Sequence, residues 1–556
     1  MIGLRNLLPR VPAEKRKKSL LRSSVASTVI RYARGTDGNM SIFGMAGAFI
    51  MLVYGGIGID MIYSEVERTR LQNTLDRAVL AAADLEQTID PTLLVQDYLT
   101  KMDMDDAMAN VNITVDAGLN YRTVTAQAQR TFDSNFLHLL GLDTLQATGL
   151  AAAEERISNI EISLILDISG SMGWNNKIEN LRTAASEFVR TVVNNNESGL
   201  TTVSIVPYNA TVNLGTAVSE HYTLSDEHDY SRCIIFSDSD FLSRGISPTV
   251  PLQRLAHFDP NSLNENTTVT PTPWCPTDEY GAVLAHSSDV DELVAHIESL
   301  GADGNTAIDL GMKWGVALLD PSARPVIDGL IGDGRVVPEA SGRPAAYDAE
   351  DVLKIAVVMT DGMNTTQYDL APEYASGMSN IWIDDRNDNN PGNDRFSHLV
   401  RDQWGTNNDV YFRERFQNSS FNNRYRNSPD GGNNARRMSN AEVFARWGTR
   451  AFGNKFFRQP YFDNFVSYNE YYNAYYSYVP IVEGDDADDR LSDICTQARE
   501  ADVTIFAIGF EAPEQGQAAM RDCASSPAHY FPVDGLEISD AFKAIARTIN
   551  QLRLTQ

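Results

Sequence analysis

Residues 41–59 read SIFGMAGAFIMLVYGGIGI, with no charged side chain before Asp60. About 20 apolar residues is the length a helix needs to cross the hydrocarbon of a bilayer. Backbone N–H and C=O groups find no water there and must pair within the segment, which leaves a lone span no conformation except helix. Tyr54 and Tyr63 lie toward its far side, where aromatic rings favour the interface. The flanks set the direction. Residues 1–40 hold nine Lys/Arg against Glu14 and Asp37, a net of +7, whereas Asp60, Glu65 and Glu67 follow the run. This asymmetry predicts a single span over 41–63 in the inner (cytoplasmic) membrane. The basic tail 1–40 stays in the cytoplasm and everything after the span is exported to the periplasm or beyond. A cleaved signal peptide is disfavoured, because the basic region is long and no small-x-small site follows the apolar run at the right distance. A buried core helix would not explain the lopsided charge.

The total charge is −28, so the chain beyond residue 40 carries −35. A basic head on an acidic body argues against nucleic-acid binding, which would need a basic face on the folded part. The four cysteines, Cys233, Cys275, Cys495 and Cys523, include no C-x-x-C pair, which argues against zinc or thioredoxin-like redox chemistry. An even count in an exported chain predicts two disulfides, with Cys233–Cys275 and Cys495–Cys523 the expected pairs.

Past the membrane segment, Leu71, Leu75, Val79 and Ala81–Ala83 recur at helical spacing until Asp90-Pro91 interrupts them. NITVDAG (112–118) and RTVTAQAQRTF (122–132) then alternate like strands. Residues 64–155 are therefore expected to form an extended helix on a small pilin-like α+β stem. From residue 156 the pattern changes to buried strands alternating with helices. ISLILD (162–167), VSIVPY (203–208), KIAVVMTD (354–361) and VTIFAIGF (503–510) are continuous apolar runs. Helical stretches starting at Lys177 and near 289–300, 306–319, 491–501 and 540–554 separate or follow them. Such alternation predicts a Rossmann-like, doubly wound, mostly parallel sheet, with ligands held beyond the carboxyl ends of its strands.

Three polar clusters fall at that edge: D-I-S-G-S-M (167–172), G-N-T (304–306) and T-D-G (360–362). Carboxylates and hydroxyls are the hard oxygen donors that Mg²⁺ prefers, with waters completing an octahedron. Alone, D-x-S-x-S is a weak signal, since serine and aspartate after a strand commonly cap a helix. All three clusters in order, each at a strand-to-helix junction, resemble the metal-ion-dependent adhesion site of von Willebrand A domains. By that resemblance Asp167, Ser169, Ser171, Thr306 and Asp361 hold one Mg²⁺ (or Mn²⁺ or Ca²⁺). Ser169, Ser171 and Thr306 would act as direct ligands, and the aspartates would act largely through water. The stretch from Arg68 to Ala83 (RTRLQNTLDRAVLAAA), together with VPYNATVN (206–213) and Met312–Gly315, is similar to TadG-like members of the tight-adherence (Tad/Flp) pilus assembly family. The resemblance implies protein partners from a pilus system, such as pilins, pseudopilins or assembly factors, or else a surface ligand. It also allows a final place at the outer membrane or pilus. One feature departs from the family's prepilins. They carry Glu five residues after the cleaved glycine, and here Phe43 stands five after Gly38, which argues against processing.

Two insertions enlarge the A-type domain of 156–556, at 209–288 and 363–488. The second is rich in Asn, Arg, Tyr and Phe, and that aromatic density argues against plain disorder. DDRNDNNPGND (384–394) lacks the register of a calcium loop and reads as a solvated turn. No G-x-S-x-G, H-E-x-x-H or P-loop occurs, and neither Glu nor His stands within the metal motifs. The leading expectation is therefore a non-enzymatic, membrane-anchored adhesion or assembly component. A minor subunit of the pilus fibre is the alternative, and a metal-dependent hydrolase is a weaker one.

Overall fold

A computed structural model describes residues 38–555 apart from 86, 118–120, 157–158, 194–198, 350, 389 and 401–409. Most of the basic tail assigned above to 1–40 lies outside the described residues. The chain divides into two compact units, the first ending at Arg156 and the second starting at Ile157.

The first unit is built on one long helix, α1 (Gly38–Ala83). Among the described residues this is the one helix long and apolar enough to cross a membrane. Its early side chains, including Ile42, Phe43, Phe49 and Leu52, point outward and are exposed. The environment changes at Asp60. That carboxylate is buried and accepts the backbone N–H groups of Asn135, Phe136 and Leu137 at 3.0, 2.8 and 2.7 Å. Beyond it the inner face of α1, Leu71, Leu75, Ala78, Val79 and Ala82, packs into a small core. Asp90 caps α2 (Pro91–Lys101) by accepting from the N–H of Thr92 and Leu93, with Pro91 at the first helical position. Three strands, β1 (Asn112–Ala117), β2 (Tyr121–Asp133) and β3 (Thr144–Arg156), form an antiparallel sheet in that order, and Val124, Ala126, Ala128 and Ala151 face the helices. The third strand was not anticipated. Its buried positions are the small residues Ala147, Gly149 and Ala151, which leave little apolar alternation to read.

The second unit begins with β4 (Asn159–Asp167), α3 (Lys177–Val192), β5 (Thr201–Tyr208), the short edge strand β6 (Leu284–Ser287) and α4 (Val290–Ser299). Then come α5 (Ile308–Ala317), α6 (Arg324–Gly332) and β7 (Val352–Thr360). Residues after β7 form a lobe of their own. Strand β8 (Gln367–Leu370) is followed by β9 (Met378–Asp384), β10 (Arg395–Val400), β11 (Val410–Arg413), β12 (Tyr425–Arg426) and β13 (Arg436–Ser439), then α7 (Tyr468–Tyr475) and β14 (Tyr478–Val482). The main domain resumes with α8 (Gly484–Arg499), β15 (Thr504–Phe510), α9 (Glu514–Cys523), β16 (Tyr530–Val533) and α10 (Glu537–Thr555).

The central sheet runs β16-β15-β7-β4-β5-β6, parallel throughout except for β6. Both of its faces are apolar. Ile162, Leu164, Leu166, Val357 and Met359 pack under α3, α4 and α10, while Ile165, Val206, Ala356 and Val358 meet α5, α6, α8 and α9 on the other side. This is the doubly wound, mostly parallel sheet expected from the strand pattern. Helix α5 lies close to the sheet because of its glycines. A Cβ on Gly311 would come within 2.5 Å of the Tyr208 ring, and one on Gly315 within 2.4 Å of Ile165. The edge strands β6 and β16 span four residues each, too short to register as apolar runs.

The second insertion folds rather than trailing as loops. Strands β12-β11-β10-β9-β13 form an antiparallel sheet, and β14 pairs with β8. Their core of Ile381, Ile383, Phe396, Phe444, Trp447, Phe452 and Phe456 also takes in Ala256 and Phe258 from the first insertion. The two insertions thus share one core, which is what their aromatic content is used for. The described residues of 385–394 lie between β9 and β10, and no cluster of three or more His, Cys, Asp or Glu able to hold a metal occurs among the described residues. Both disulfides have the expected partners, Cys233 with Cys275 and Cys495 with Cys523.

Candidate metal centre

Strand β4 lies at the point where the chain reverses its direction of travel across the sheet. It connects first to β5 on one side and later pairs with β7 on the other. At such a switch point the loops leaving neighbouring strands part and open a crevice at their carboxyl ends. Leu166 is in register with Met359, so Asp167 and Thr360 finish level at that crevice.

Asp167 is fully buried. One carboxylate oxygen accepts the backbone N–H of Ser169 at 2.8 Å, and the other accepts the Thr360 hydroxyl at 2.7 Å. The hydroxyls of Ser169 and Ser171 are 3.1 Å apart, and Ser171 donates to Oδ1 of Asp361 at 2.6 Å. Four of the five expected residues therefore form one hydrogen-bonded group across two loops. Thr306 stands at its edge. Its hydroxyl lies against Gly362, where a Cβ would be 3.2 Å from Oγ1, and its backbone N–H and C=O are both bound by Thr365. The middle loop is tied to the first. Gly170 N–H donates to Gly304 C=O at 2.9 Å, and Asp303 N–H donates to Ile168 C=O at 2.9 Å. Gly304 takes φ +83° beneath Asn209, a conformation that glycine adopts without strain.

The electrostatics are unbalanced. Burial, and then repulsion from Asp361, push the Asp167 carboxyl up to about 7. One cation stands nearby. Lys177 Nζ donates to Oδ2 of Asp361 at 3.0 Å and lies 3.6 Å from Glu511 Oε2. Glu511 is fixed in turn by the N–H of Gly535 at 3.1 Å. Three acids and one ammonium leave a surplus of two negative charges, which one divalent ion would cancel. The donors are oxygen throughout, three hydroxyls and two carboxylates, a set suited to a hard ion. The residues present fit the ion that the fold implies.

Sequence reasoning missed Lys177, Thr360 as a partner of Asp167, Glu511 and Thr365. Lys177 reads as an ordinary polar residue opening an amphipathic helix, and its contact with Asp361 spans 184 positions. Nothing local marks Glu511, although a non-glycine residue with φ +52° directly after a strand is the kind of strain that gathers at functional sites.

Residues 38–85 match the family model for Tad, the putative Flp pilus-assembly TadE/G-like family. Among solved structures, the von Willebrand factor domain of the type V pili tip protein Mfa5 from Porphyromonas gingivalis is similar over 71% of this chain and 96% of its own, with 13% identity and a TM-score of 0.31. An adhesive tip pilin from Group B Streptococcus agalactiae is similar over 70% of this chain and 100% of its own, with 14% identity and a TM-score of 0.31. The pilus adhesin SpaC from Lactobacillus rhamnosus GG is similar over 80% of this chain and 34% of its own, with 11% identity and a TM-score of 0.28. No curated protein matches the chain. Residues 38–85 are thus similar to the TadE/G-like pilus-assembly family, and they precede a unit built on a doubly wound, mostly parallel sheet.

Proposed function

We propose that this chain is a membrane-anchored, non-enzymatic component of pilus assembly or pilus-borne adhesion, and that its five-residue site binds an acidic group of a protein partner through a divalent cation. The observation that carries the reading is the buried pair Asp167 and Asp361, bridged by serine hydroxyls at the switch-point crevice and short of positive charge. Mg²⁺, or Mn²⁺ or Ca²⁺ in its place, would be held by Ser169, Ser171 and Thr306, with Asp167 and Asp361 acting through water. When bound, the ion supplies an electrophilic position that a partner carboxylate can complete. The protein's part is to fix the hydroxyls, orient the carboxylates and keep the site close to neutral. Glu511 is engaged by Lys177 and by a backbone N–H, which suits a part in the charge balance of the site.

The apolar half of α1 and the TadE/G-like match support anchoring in a membrane. The +7 charge of residues 1–40 favours an N-terminus in the cytoplasm and a head on the far side of the inner membrane. Partners would then be pilins, pseudopilins or assembly factors met outside the cytoplasm, or a ligand on another surface. The test is an Asp167→Ala allele at the native locus. The expected result is a protein that accumulates normally on immunoblots, in cells that yield few sheared pili or attach poorly. Normal piliation and attachment in that strain would sink the reading. Recovery of the chain in sheared fibres would favour the minor-subunit alternative.

A further inference from the structure

Helix α3 starts in an unusual way. Asn175 and Asn176 both take left-handed conformations, φ +56° and +57°, and the turn they make delivers Lys177 to the first helical position. Cα–Cβ bonds in a helix tilt toward its N-terminus, so a side chain there is aimed back at the carboxyl edge of the sheet. The Lys177 side chain is only 9% exposed, and its ammonium lies between Asp361 Oδ2 at 3.0 Å and Glu511 Oε2 at 3.6 Å. Burying an ammonium is costly unless it is paired. On the other side, Glu511 is over-determined: its backbone is left-handed at φ +52°, its N–H donates to Val533 C=O at 2.9 Å, and its carboxylate holds the Gly535 N–H. Strain of this kind at a non-glycine residue persists only where the surroundings enforce it.

We propose that Lys177 is a resident monovalent charge of the cation site, tempered by Glu511, and that this pair sets the affinity for the divalent ion. The proposal rests on the cation reading given above. Asp167, Asp361 and Glu511 carry three negative charges, and Lys177 with one divalent ion carries three positive charges. Lys177 shares Asp361 with the incoming ion and opposes it, while Glu511 attenuates that opposition. In exchange, the loaded site is neutral and not anionic, so an acidic partner group meets no net repulsion. The two residues are positioning residues with opposite effects on one constant.

The whole chain, purified in detergent and stripped of metal, is titrated with Mn²⁺ while the free ion is followed by its EPR signal. Lys177→Met should tighten Mn²⁺ binding by at least about tenfold, because a full charge sharing the Asp361 carboxylate with a divalent ion outweighs that factor even at an effective dielectric of about 20. Glu511→Gln should weaken binding by about tenfold. If Lys177 were only a buried structural contact, Lys177→Met would melt at lower temperature with its Mn²⁺ affinity unchanged or reduced, and the proposal would be overturned. Should that variant not fold, Glu511→Gln decides alone, since the Glu511 side chain is 26% exposed. Weaker binding supports the pair, and unchanged or tighter binding overturns it. Absence of Mn²⁺ binding by the wild-type chain would overturn the cation reading and the proposal together. Wild-type binding with unaltered variants would overturn the proposal alone.

Discussion

Replacing Asp167 by Asn isolates the electrostatic cost at the centre of the site. The amide keeps the shape of the carboxyl: its oxygen can accept the Ser169 N–H, and its NH₂ can face the Thr360 hydroxyl that now donates to Asp167. It therefore mimics the protonated acid at every pH. In the cation-free wild type, burial and Asp361 raise the Asp167 carboxyl from 3.8 to about 7. A carboxyl raised on folding stabilises the fold most fully below its unfolded value, and that contribution is lost as pH rises through the folded one. Three units correspond to at most about 4 kcal/mol, of which roughly 2.5 kcal/mol disappears between pH 5 and pH 8. Asp361 shares the repulsion, so these figures are upper bounds. All six tryptophans lie beyond residue 156, so tryptophan fluorescence during urea unfolding reports on the second unit even in the full chain. In EDTA, the stability of Asp167→Asn minus that of wild type should grow by up to about 2.5 kcal/mol from pH 5 to pH 8. Groups remote from Asp167 and common to both proteins cancel in that difference. Saturating Mg²⁺ should shrink it, because only the ionised wild-type carboxylate gains from the ion. Parallel pH profiles in EDTA would refute the reasoning.

The Cys495–Cys523 bond closes a segment of 28 residues, so Cys495→Ser with Cys523→Ser should cost about 3.5 kcal/mol by loop-closure entropy, read from urea midpoints at unchanged slope. Gly315→Ala places a methyl group against Ile165 in a packed helix–sheet interface, and a loss of about 1–3 kcal/mol is expected from the same unfolding curves. A change below about 0.5 kcal/mol would mean that α5 is not held this close to the sheet.

The metal loops were legible because each ends a continuous apolar strand, and the doubly wound pattern brings strand ends to one edge. ISLIL running into Asp167, and KIAVVMT into Asp361, place both acids without any knowledge of the intervening chain. The charge balance was not legible. Lys177 and Glu511 meet only through the three-dimensional arrangement of α3 and the end of β15, and neither carries a local pattern. In the first unit β3 was hidden by its small inward residues, Ala147, Gly149 and Ala151. The insertion at 363–488 read as an aromatic loop because its strands are short, with β12 only two residues long, and because its core is completed by Ala256 and Phe258 from an insertion far away in sequence. Its aromatic density was the one available sign that it folds.

The most direct test of the cation site is a count of bound Mn²⁺ on the metal-free chain, made by EPR with equilibrium dialysis, in the wild type and in Asp167→Ala and Ser171→Ala. One ion per chain in the wild type, displaced by Mg²⁺ and lost in both variants while their far-UV circular dichroism is unchanged, is the predicted result. No bound ion, or an ion retained by both variants, would contradict it.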